Sequence, residues 1–318
     1  MSEAPRVRPS YSFENGEILL HQGHTSFVVN CRPEHQETVK NCLSRTFAGE
    51  PIDSTLESSV VDELMCALKE HGLVPVNSEC DGLRGVEALL TLEDYANELL
   101  YSTLYQNVFW RHIQRANSRT IPEAVIYGFV IENYHFLYRE SWFDSPALSF
   151  VTSKAAQKLM NQFYGEEYGH DELLLRSLES IGITREQLDD TIPLQATSAL
   201  YNSLAYWASF DPVFFFTTLG ILEGKDIVQD SFLDACEAMG LPDKFVGPLR
   251  MHSEINLKGG HGALSRALFR HIPVVGYADL DRMKSSTALF VGLYDAFYSA
   301  VWRHYTSSAS LLRKVAEV

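Results

Sequence analysis

The segment IPEAVIYGFVIENYHFLYRESWF, residues 121–143, is the stretch of the chain that decides its fold. Proline is favoured in the first turn of a helix, because its ring fixes φ and its missing N–H needs no partner there, so a helix is expected after Pro122. Apolar residues dominate this segment. Similar segments follow one another from Val86 onward, without strand-like alternation longer than a few residues. Residues 86–318 are therefore predicted to form an all-α bundle of about seven helices.

Two interruptions are expected inside this helical region. A kink or break is predicted at Gly165, because glycine weakens a helix interior. A second boundary is predicted near Asp211-Pro212, since the residue before a proline disfavours the helical backbone conformation. Each interruption would divide one long apolar segment into two helices.

Residues 1–80 have a different pattern. Two short runs rich in β-favouring residues, Glu17–His21 and Ser26–Cys31, are separated by a turn-like QGHT, and two or three short helices are expected to follow. This combination predicts a small α+β domain of the winged-helix type. The stretch NSECDGLRG, residues 77–85, is the expected linker to a helical domain of residues 86–318.

The composition excludes several classes of protein. The chain of 318 residues has a net charge of −15, which a basic patch could not easily outweigh, so nucleic acid is not an expected partner. No run of about 18 apolar residues occurs, and the N-terminus lacks the apolar core of a signal peptide, so neither a membrane span nor secretion is expected. Five scattered cysteines without C-x-x-C spacing favour a reducing, cytoplasmic location.

Two Glu-x-x-His pairs lie in the helical region, Glu132–His135 and Glu167–His170. Residues three apart share one helix face, and helical bundles build metal sites from such side chains on facing helices. A pair on a solvated helix surface is the alternative. Glu132 follows IYGFVI and precedes Phe136, so its apolar surroundings favour the metal interpretation.

A third carboxylate, Glu223, follows the run FFFTTLGIL, which is apolar on every face and is therefore predicted to be buried. A buried carboxylate without compensation costs several kcal/mol, so Glu223 needs a cation or hydrogen-bond donors. Three partners are open: a metal ion, a lysine or arginine from a neighbouring helix, or water, if the helix end has already reached the surface.

The stretch MHSEINLKGGHG contains four more candidate ligands. On a regular helix His252 and Asn256 share a face, whereas Glu254 points away. His261 lies nine positions after His252 and could join it only if the helix bulges at Gly259-Gly260. The alternative is that the glycine pair ends one helix and that His261 is a surface residue at the start of the next.

Mixed oxygen and nitrogen donors without cysteine suit iron or manganese in a carboxylate site. The sequence contains no G-x-S-x-G, P-loop or G-x-G-x-x-G motif. Serine-nucleophile, phosphate and dinucleotide chemistry therefore have no support.

The helical region resembles the haem-oxygenase-like diiron oxidases and oxygenases, relatives of the thiaminase II and pyrroloquinoline-quinone synthase fold. RTIPEAVIYGFVIENYHFLY is similar to the entry helix of that fold, and YGEEYGHDELLLRSLESIGI is similar to its Glu-x-x-His helix. LGILEG resembles the helix with a single glutamate, and MHSEIN resembles the start of its His-x-x-x-Asp-x-x-His helix. The resemblance extends from Val86 to about Tyr305.

The resemblance implies a set of metal ligands. Glu167 and His170 would bind one iron, Glu223 would bridge or be shared, and His252 would complete the set. Glu132 matches a position at which some members have an additional carboxylate ligand.

The last motif departs from the family pattern. Asn256 replaces the aspartate and could ligate only through a neutral amide oxygen, and Gly259 replaces the final histidine. His261 could substitute for that histidine if the glycine pair allows a bulge. These two replacements affect the expected ligands of the second iron. The site would therefore be labile, assemble only with substrate, or hold one metal.

The resemblance implies an O2-dependent oxidase or oxygenase with Fe(II), two ions in the family pattern. Its substrate would be an amino acid or an amino-acid-derived or peptide-borne molecule, changed by N-oxygenation, desaturation or C–C cleavage in the biosynthesis of a specialised metabolite. Residues 1–80 resemble peptide-binding winged-helix modules of peptide-modifying enzymes, with a vestigial or dimerising module as the alternative. Two other functions stay open: a metal-independent oxidase or thiaminase-like hydrolase of the same fold, and a non-catalytic peptide-binding protein. A homodimer is compatible with these features.

Overall fold

The computed structural model describes residues 10–14, 17–22, 25–48, 52, 58–74, 82–114, 121–150, 153–222, 229–259, 263–308 and 310–314. Side chains are described at these positions except 13, 14, 22, 25, 58, 229, 230 and 256–259. The chain forms two compact units, one of Met1–Asn97 with Ile272–Arg282 and one of Glu98–His271 with Met283–Val318.

The first unit contains a three-stranded sheet, two helices, a two-stranded ribbon and the adjoining parts of two longer helices. In chain order these elements are β1 (Ser10–Glu14), β2 (Glu17–Gln22), β3 (Thr25–Val29), α1 (Gln36–Ala48), α2 (Ser58–Glu70), β4 (Gly82–Leu83), α3 (Gly85–Ser102), β5 (Val275–Gly276) and α15 (Tyr277–Ser307).

The sheet is antiparallel in the order β1-β2-β3. Ile18 and Leu20 are two residues apart on β2, so they face the same side, where they pack with buried residues of α1 and α2 such as Leu43 and Leu68. Strands β2 and β3 confirm the two predicted β-rich runs. β1 was missed, because SYSFE contains no β-branched residue. The available signal was the Asn15-Gly16 pair that follows it in the sequence, a dipeptide typical of two-residue hairpin turns.

Strands β4 and β5 pair antiparallel, with Gly82 opposite Gly276. A Cβ atom added at Gly82 would meet the carbonyl oxygen of Val275, so glycine is required there. The segment 77–85 was predicted to be a linker, but its last residues form β4 and begin α3. The partner strand is far away in sequence, and local patterns do not reveal such a pairing.

The second unit is helical throughout its described elements, which confirms the mainly α prediction. They are the end of α3, α4 (Val108–Gln114), α5 (Glu123–Leu137), α6 (Glu140–Ala147), α7 (Lys154–Glu167), α8 (Asp171–Glu179), α9 (Arg185–Asp189), α10 (Gln195–Phe210), α11 (Pro212–Leu222), α12 (Gln229–Ala238), α13 (Asp243–Gly259), α14 (Leu264–Phe269) and most of α15. Helix α10 packs on α6, and α8 packs on both α5 and α13.

The two predicted interruptions had different outcomes. Helix α10 ends at Phe210 and α11 begins at Pro212, as predicted. The break predicted at Gly165 is wrong in position, because α7 continues through that residue to Glu167. Gly169 has φ +93°, a left-handed conformation that glycine adopts without strain, and the break lies there. Within the described part of the chain, no helix is long and apolar enough to span a membrane.

Candidate active-site cavity

A cavity of about 190 Å³ lies inside the second unit. Helix α5 contributes one face to its wall, at positions i, i+1, i+4, i+7 and i+8 from Phe129 to Leu137. Since a helix rises 1.5 Å per residue, this face follows the cavity for roughly 12 Å. Most of the lining residues are leucine and phenylalanine, so the walls are largely apolar and suit a small apolar molecule.

One end of the cavity is aromatic. The ring of Phe129 lies 6.4 Å from that of Trp110 and 4.6 Å from that of Phe232, and Trp110 packs on Tyr298 at 5.0 Å. Trp110 is 4% exposed, and its Nε1 atom has no hydrogen-bond acceptor among the described residues. The Tyr298 hydroxyl donates to that of Tyr294, and burial holds the pKa of Tyr298 well above its usual value. This end thus offers ring faces and one buried N–H donor.

Two carboxylates line another part of the wall, and neither was among the predicted site residues. Glu140 and Asp144 lie four apart on α6, so they share a helix face, and both line the cavity. They are 9% and 0% exposed. Phe143, between them, packs on Phe136 of α5 at 5.3 Å. The available signal was an i, i+4 acidic pair inside the aromatic stretch ESWFDSP, but such pairs are common on solvated helix surfaces.

Three predicted ligands are brought together at the α7–α8 break. Glu167 ends α7 and His170 immediately precedes α8, and a carboxylate oxygen of Glu167 lies 2.6 Å from Nδ1 of His170. The ring of His170 meets that of His252 edge to face, with centroids 4.8 Å apart. His252 is half-buried and lines the cavity, so this chain of side chains ends at the cavity wall.

The remaining candidate ligands are less completely described. Glu223 and His261 lie outside the described residues, and of Asn256 only the backbone is described, within α13. Glu254 is exposed, as predicted. Helix α13 is described as far as Gly259, and Gly260 and His261 lie outside the described residues, so both alternatives for the glycine pair stay predictions.

Glu132 lies in a separate hydrogen-bonded cluster and is not among the described residues that line the cavity. Its Oε2 atom accepts from the backbone N–H of Leu194, at 3.0 Å, and from the hydroxyl of Thr197. Its Oε1 atom accepts from the Tyr305 hydroxyl at 3.0 Å. Burial raises the pKa of Glu132, and the three hydrogen bonds and the charge of Arg313 oppose that rise. Protein donors thus contact both carboxylate oxygens.

His135, the partner of Glu132 in the sequence pair, is held in a different way. Its Nε2 atom lies 2.8 Å from the Thr191 hydroxyl, which itself donates to the carbonyl of Leu188. The hydroxyl proton is therefore committed, and Nε2 must be the donor, which assigns the tautomer with hydrogen on Nε2. Burial, and secondly the charge of Arg139, lower the pKa of His135 to about 4.

The depressed pKa of His135 makes an acid-sensitive contribution to stability. Between pH 6.5 and about pH 4 the unfolded chain binds a proton at this residue and the folded chain does not, so stability is lost as the pH falls through that window. At pH 5 the expected loss is about 2 kcal/mol. Urea unfolding at pH 7 and pH 5 should show a smaller pH-dependent difference for His135→Gln than for the parent. Glu132 is common to both proteins, so the comparison isolates the histidine. Equal differences in the two proteins would contradict the assignment.

The comparisons with known proteins agree with this architecture. A crystal structure from Shewanella denitrificans, described as a domain of unknown function with a heme oxygenase-like fold, covers 71% of this chain and 98% of its own, with a TM-score of 0.58 and 20% identity. Residues 128–283 match the model of a family described as iron-containing redox enzymes. The chain therefore has a haem-oxygenase-like fold, and its residues 128–283 are similar to this family.

A second structure similar to the haem-oxygenase-like domain is a TenA homolog from Pseudomonas syringae. It covers 68% of this chain and 93% of its own, with a TM-score of 0.54 and 12% identity, and shows the fold alone. No curated protein matches the chain. Glu140, Asp144, His170 and His252 all fall within the matched residues of the haem-oxygenase-like domain.

Proposed function

We propose that the chain is an iron-dependent enzyme that uses O2 to oxidise a small molecule held in the cavity. One observation supports this most directly: His252 lines a buried apolar cavity and contacts His170, whose other neighbour is the carboxylate of Glu167. The description of the family as iron-containing redox enzymes supports the choice of metal.

The donor types around the cavity fit iron, although the described residues alone do not complete a site. Among them, no group of three or more His, Cys, Asp or Glu side chains is arranged to hold a metal ion. Glu223 is outside that part of the chain, but it follows Leu222 directly, and Leu222 lines the cavity. Two imidazoles and a carboxylate would give the mixed nitrogen and oxygen set that non-haem iron prefers. We therefore assign His170, His252 and Glu223 as the ligands.

We propose a role for Glu167 that differs from the one implied by the resemblance. Metal-binding histidines commonly donate their second ring N–H to a carboxylate, which fixes the tautomer and orients the ring. A carboxylate oxygen of Glu167 lies 2.6 Å from Nδ1 of His170, so a small rotation of the ring would let Nδ1 donate to it and would leave Nε2 as the donor to iron. Glu132 is not required, because its oxygens accept three protein hydrogen bonds. A second iron would need Asn256 and His261.

When bound, iron would supply one-electron chemistry and activation of O2. The protein's own contribution is positional. The apolar walls would exclude water from the reacting molecule, and the aromatic end would pack against its apolar part. His252 would hold the metal at the cavity wall. The peptide-binding role of residues 1–80 stays a prediction.

Iron loading tests the proposal. The full chain, loaded anaerobically with Fe(II) and desalted, should retain iron, whereas His252→Ala and His170→Ala should each retain at least about tenfold less. His112→Ala, at a histidine stacked on Trp302, is the control and should retain as much as the parent. Iron retention by all variants would overturn the proposal. Oxygen consumption that ignores both added Fe(II) and a chelator would favour the metal-independent alternative.

A further inference from the structure

The face of α5 that lines the cavity contains one polar side chain. From Phe129 to Leu137 its residues are phenylalanine, valine, asparagine, phenylalanine and leucine, and the asparagine is Asn133. The polar neighbours Glu132 and His135 are held by the hydrogen bonds described above. An amide in an apolar wall needs a hydrogen-bond partner, because its desolvation without one is unfavourable. The partner that Asn133 can take therefore limits what the cavity binds.

A hydrogen bond within α5 fixes the orientation of this amide. The Nδ2 atom of Asn133 donates to the carbonyl oxygen of Phe129 at 3.1 Å, one turn earlier in the helix. Only the nitrogen of an amide can donate to a carbonyl, so this bond assigns the two ends of the side chain. Asn133 is half-buried and lines the cavity, so its Oδ1 atom is the end that can accept from a molecule bound there.

The aromatic end of the cavity lies one helical turn from Asn133. Phe129 belongs to that end, and the four residues between the two positions correspond to roughly 6 Å along the helix axis. The rings of Phe232 and Phe297 lie 4.6 and 6.2 Å from that of Phe129, and the ring of Trp110 lies 6.4 Å from it. Aromatic rings pack on one another edge to face or with an offset, so this end suits an aromatic ring of the ligand.

The volume of the cavity limits the ligand to one ring. A cavity of about 150 Å³ with walls of leucine, isoleucine and phenylalanine binds benzene. At about 190 Å³, the present cavity has space for one such ring and a few more non-hydrogen atoms. With the ring beside Phe129, a hydroxyl group on it would reach Asn133, because the radius of the ring and a hydrogen bond of about 2.8 Å together span one helical turn.

We infer that the cavity binds a small phenol, with its ring at Phe129 and its O–H donating to Oδ1 of Asn133. A molecule without a donor would displace water from the amide oxygen and give it no hydrogen bond in return, so it would bind more weakly. Asn133 thus selects the substrate by its donor. This inference rests on the proposed function only in taking the cavity as the substrate site.

Binding to the iron-free full chain tests the inference without any turnover. The probes are p-cresol, its isomer anisole, which has the ring and the oxygen but no O–H, and methylcyclohexanol, which has the O–H but no aromatic ring. Calorimetry and tryptophan fluorescence measure the affinities. p-Cresol should bind at least about fivefold more tightly than anisole and about threefold more tightly than methylcyclohexanol. If either analogue binds as tightly as p-cresol to the parent chain, the inference is wrong.

Two asparagine variants form a matched pair. Asn133→Leu keeps the size of the side chain and removes Oδ1, so the affinities for p-cresol and anisole should come within about twofold of each other. Anisole binding should change by less than about threefold, which shows that the cavity is still formed. Asn161 of α7 is exposed, and its Nδ2 donates to the carbonyl of Gln157 in the same way, so Asn161→Leu should keep the preference of the parent. An undiminished preference in Asn133→Leu would overturn the inference.

The outcomes separate this inference from the proposed function. A preference for p-cresol that depends on Asn133, in a chain that retains no iron, would support the inference and remove the proposed activity. Iron retention that depends on His170 and His252, in a chain that binds anisole as tightly as p-cresol, would leave the proposed function and remove the inference.

Discussion

Gly128→Ala is expected to destabilise the protein by about 3 kcal/mol and to lower its melting temperature by on the order of 10 °C. Gly128 lies inside α5, and a Cβ atom there would stand 2.2 Å from carbon atoms of the Tyr305 ring. That ring is buried and is fixed by the hydrogen bond from its hydroxyl to Glu132, so it cannot move aside without breaking that contact. Thermal unfolding followed by circular dichroism measures the effect.

The same substitution at Gly292 is a matched control. Gly292 lies in α15, the helix that also contains Tyr305, and nothing stands within 4 Å of a Cβ atom added there. Alanine favours a helix interior over glycine, so Gly292→Ala should stabilise the protein by about 0.5–1 kcal/mol. Destabilisation of similar size at both positions would mean that the Tyr305 contact is not the cause at Gly128.

Glu132→Ala is expected to cost about 3–5 kcal/mol of stability. Removing the carboxylate leaves the backbone N–H of Leu194 and the hydroxyls of Thr197 and Tyr305 buried without their acceptor. The raised pKa of Glu132 reduces the loss somewhat, because the buried charge was itself costly. Urea unfolding at pH 7 measures the change.

Two comparisons show whether the cost arises from the cluster. Glu123→Ala, in the first turn of the same helix, removes an exposed carboxylate that accepts from the Tyr127 hydroxyl, and it should change stability by less than about 0.5 kcal/mol. The loss at Glu132 should be the same with and without a chelator, since the donors are protein groups. A loss that appears only in the iron-loaded protein would instead support Glu132 as a metal ligand.

The contacts in the candidate site that join residues far apart in the chain could not be predicted from the sequence. Local signals identified α5 from Pro122 and the α10–α11 boundary at Asp211-Pro212, because those depend on the backbone preferences of one residue. The contact between Glu167 and His170 was also predicted, but from the wrong geometry. The two residues meet across a break rather than on one continuous helix face.

Glu140 and Asp144 show why the rest was missed. Their spacing shows only that they share a face of α6. For two acidic residues, the usual expectation is that this face is exposed to solvent. Whether that face meets water or a cavity depends on how α5, α10 and the other helices pack around it. Such packing joins residues far apart in the chain, as the pairing of β4 with β5 also does.

The ribbon of β4 and β5 has a consequence for the newly made protein. The unit that begins at the N-terminus is completed by Ile272–Arg282, so one of its strands is still missing when the ribosome has finished residues 82–83. At ordinary rates of translation, about 5–20 residues per second, β5 follows roughly 10–40 s later. During that interval the core of β2, α1 and α2 can form, but β4 has no partner strand. The first unit can therefore complete its folding only after most of the helical unit has been synthesised.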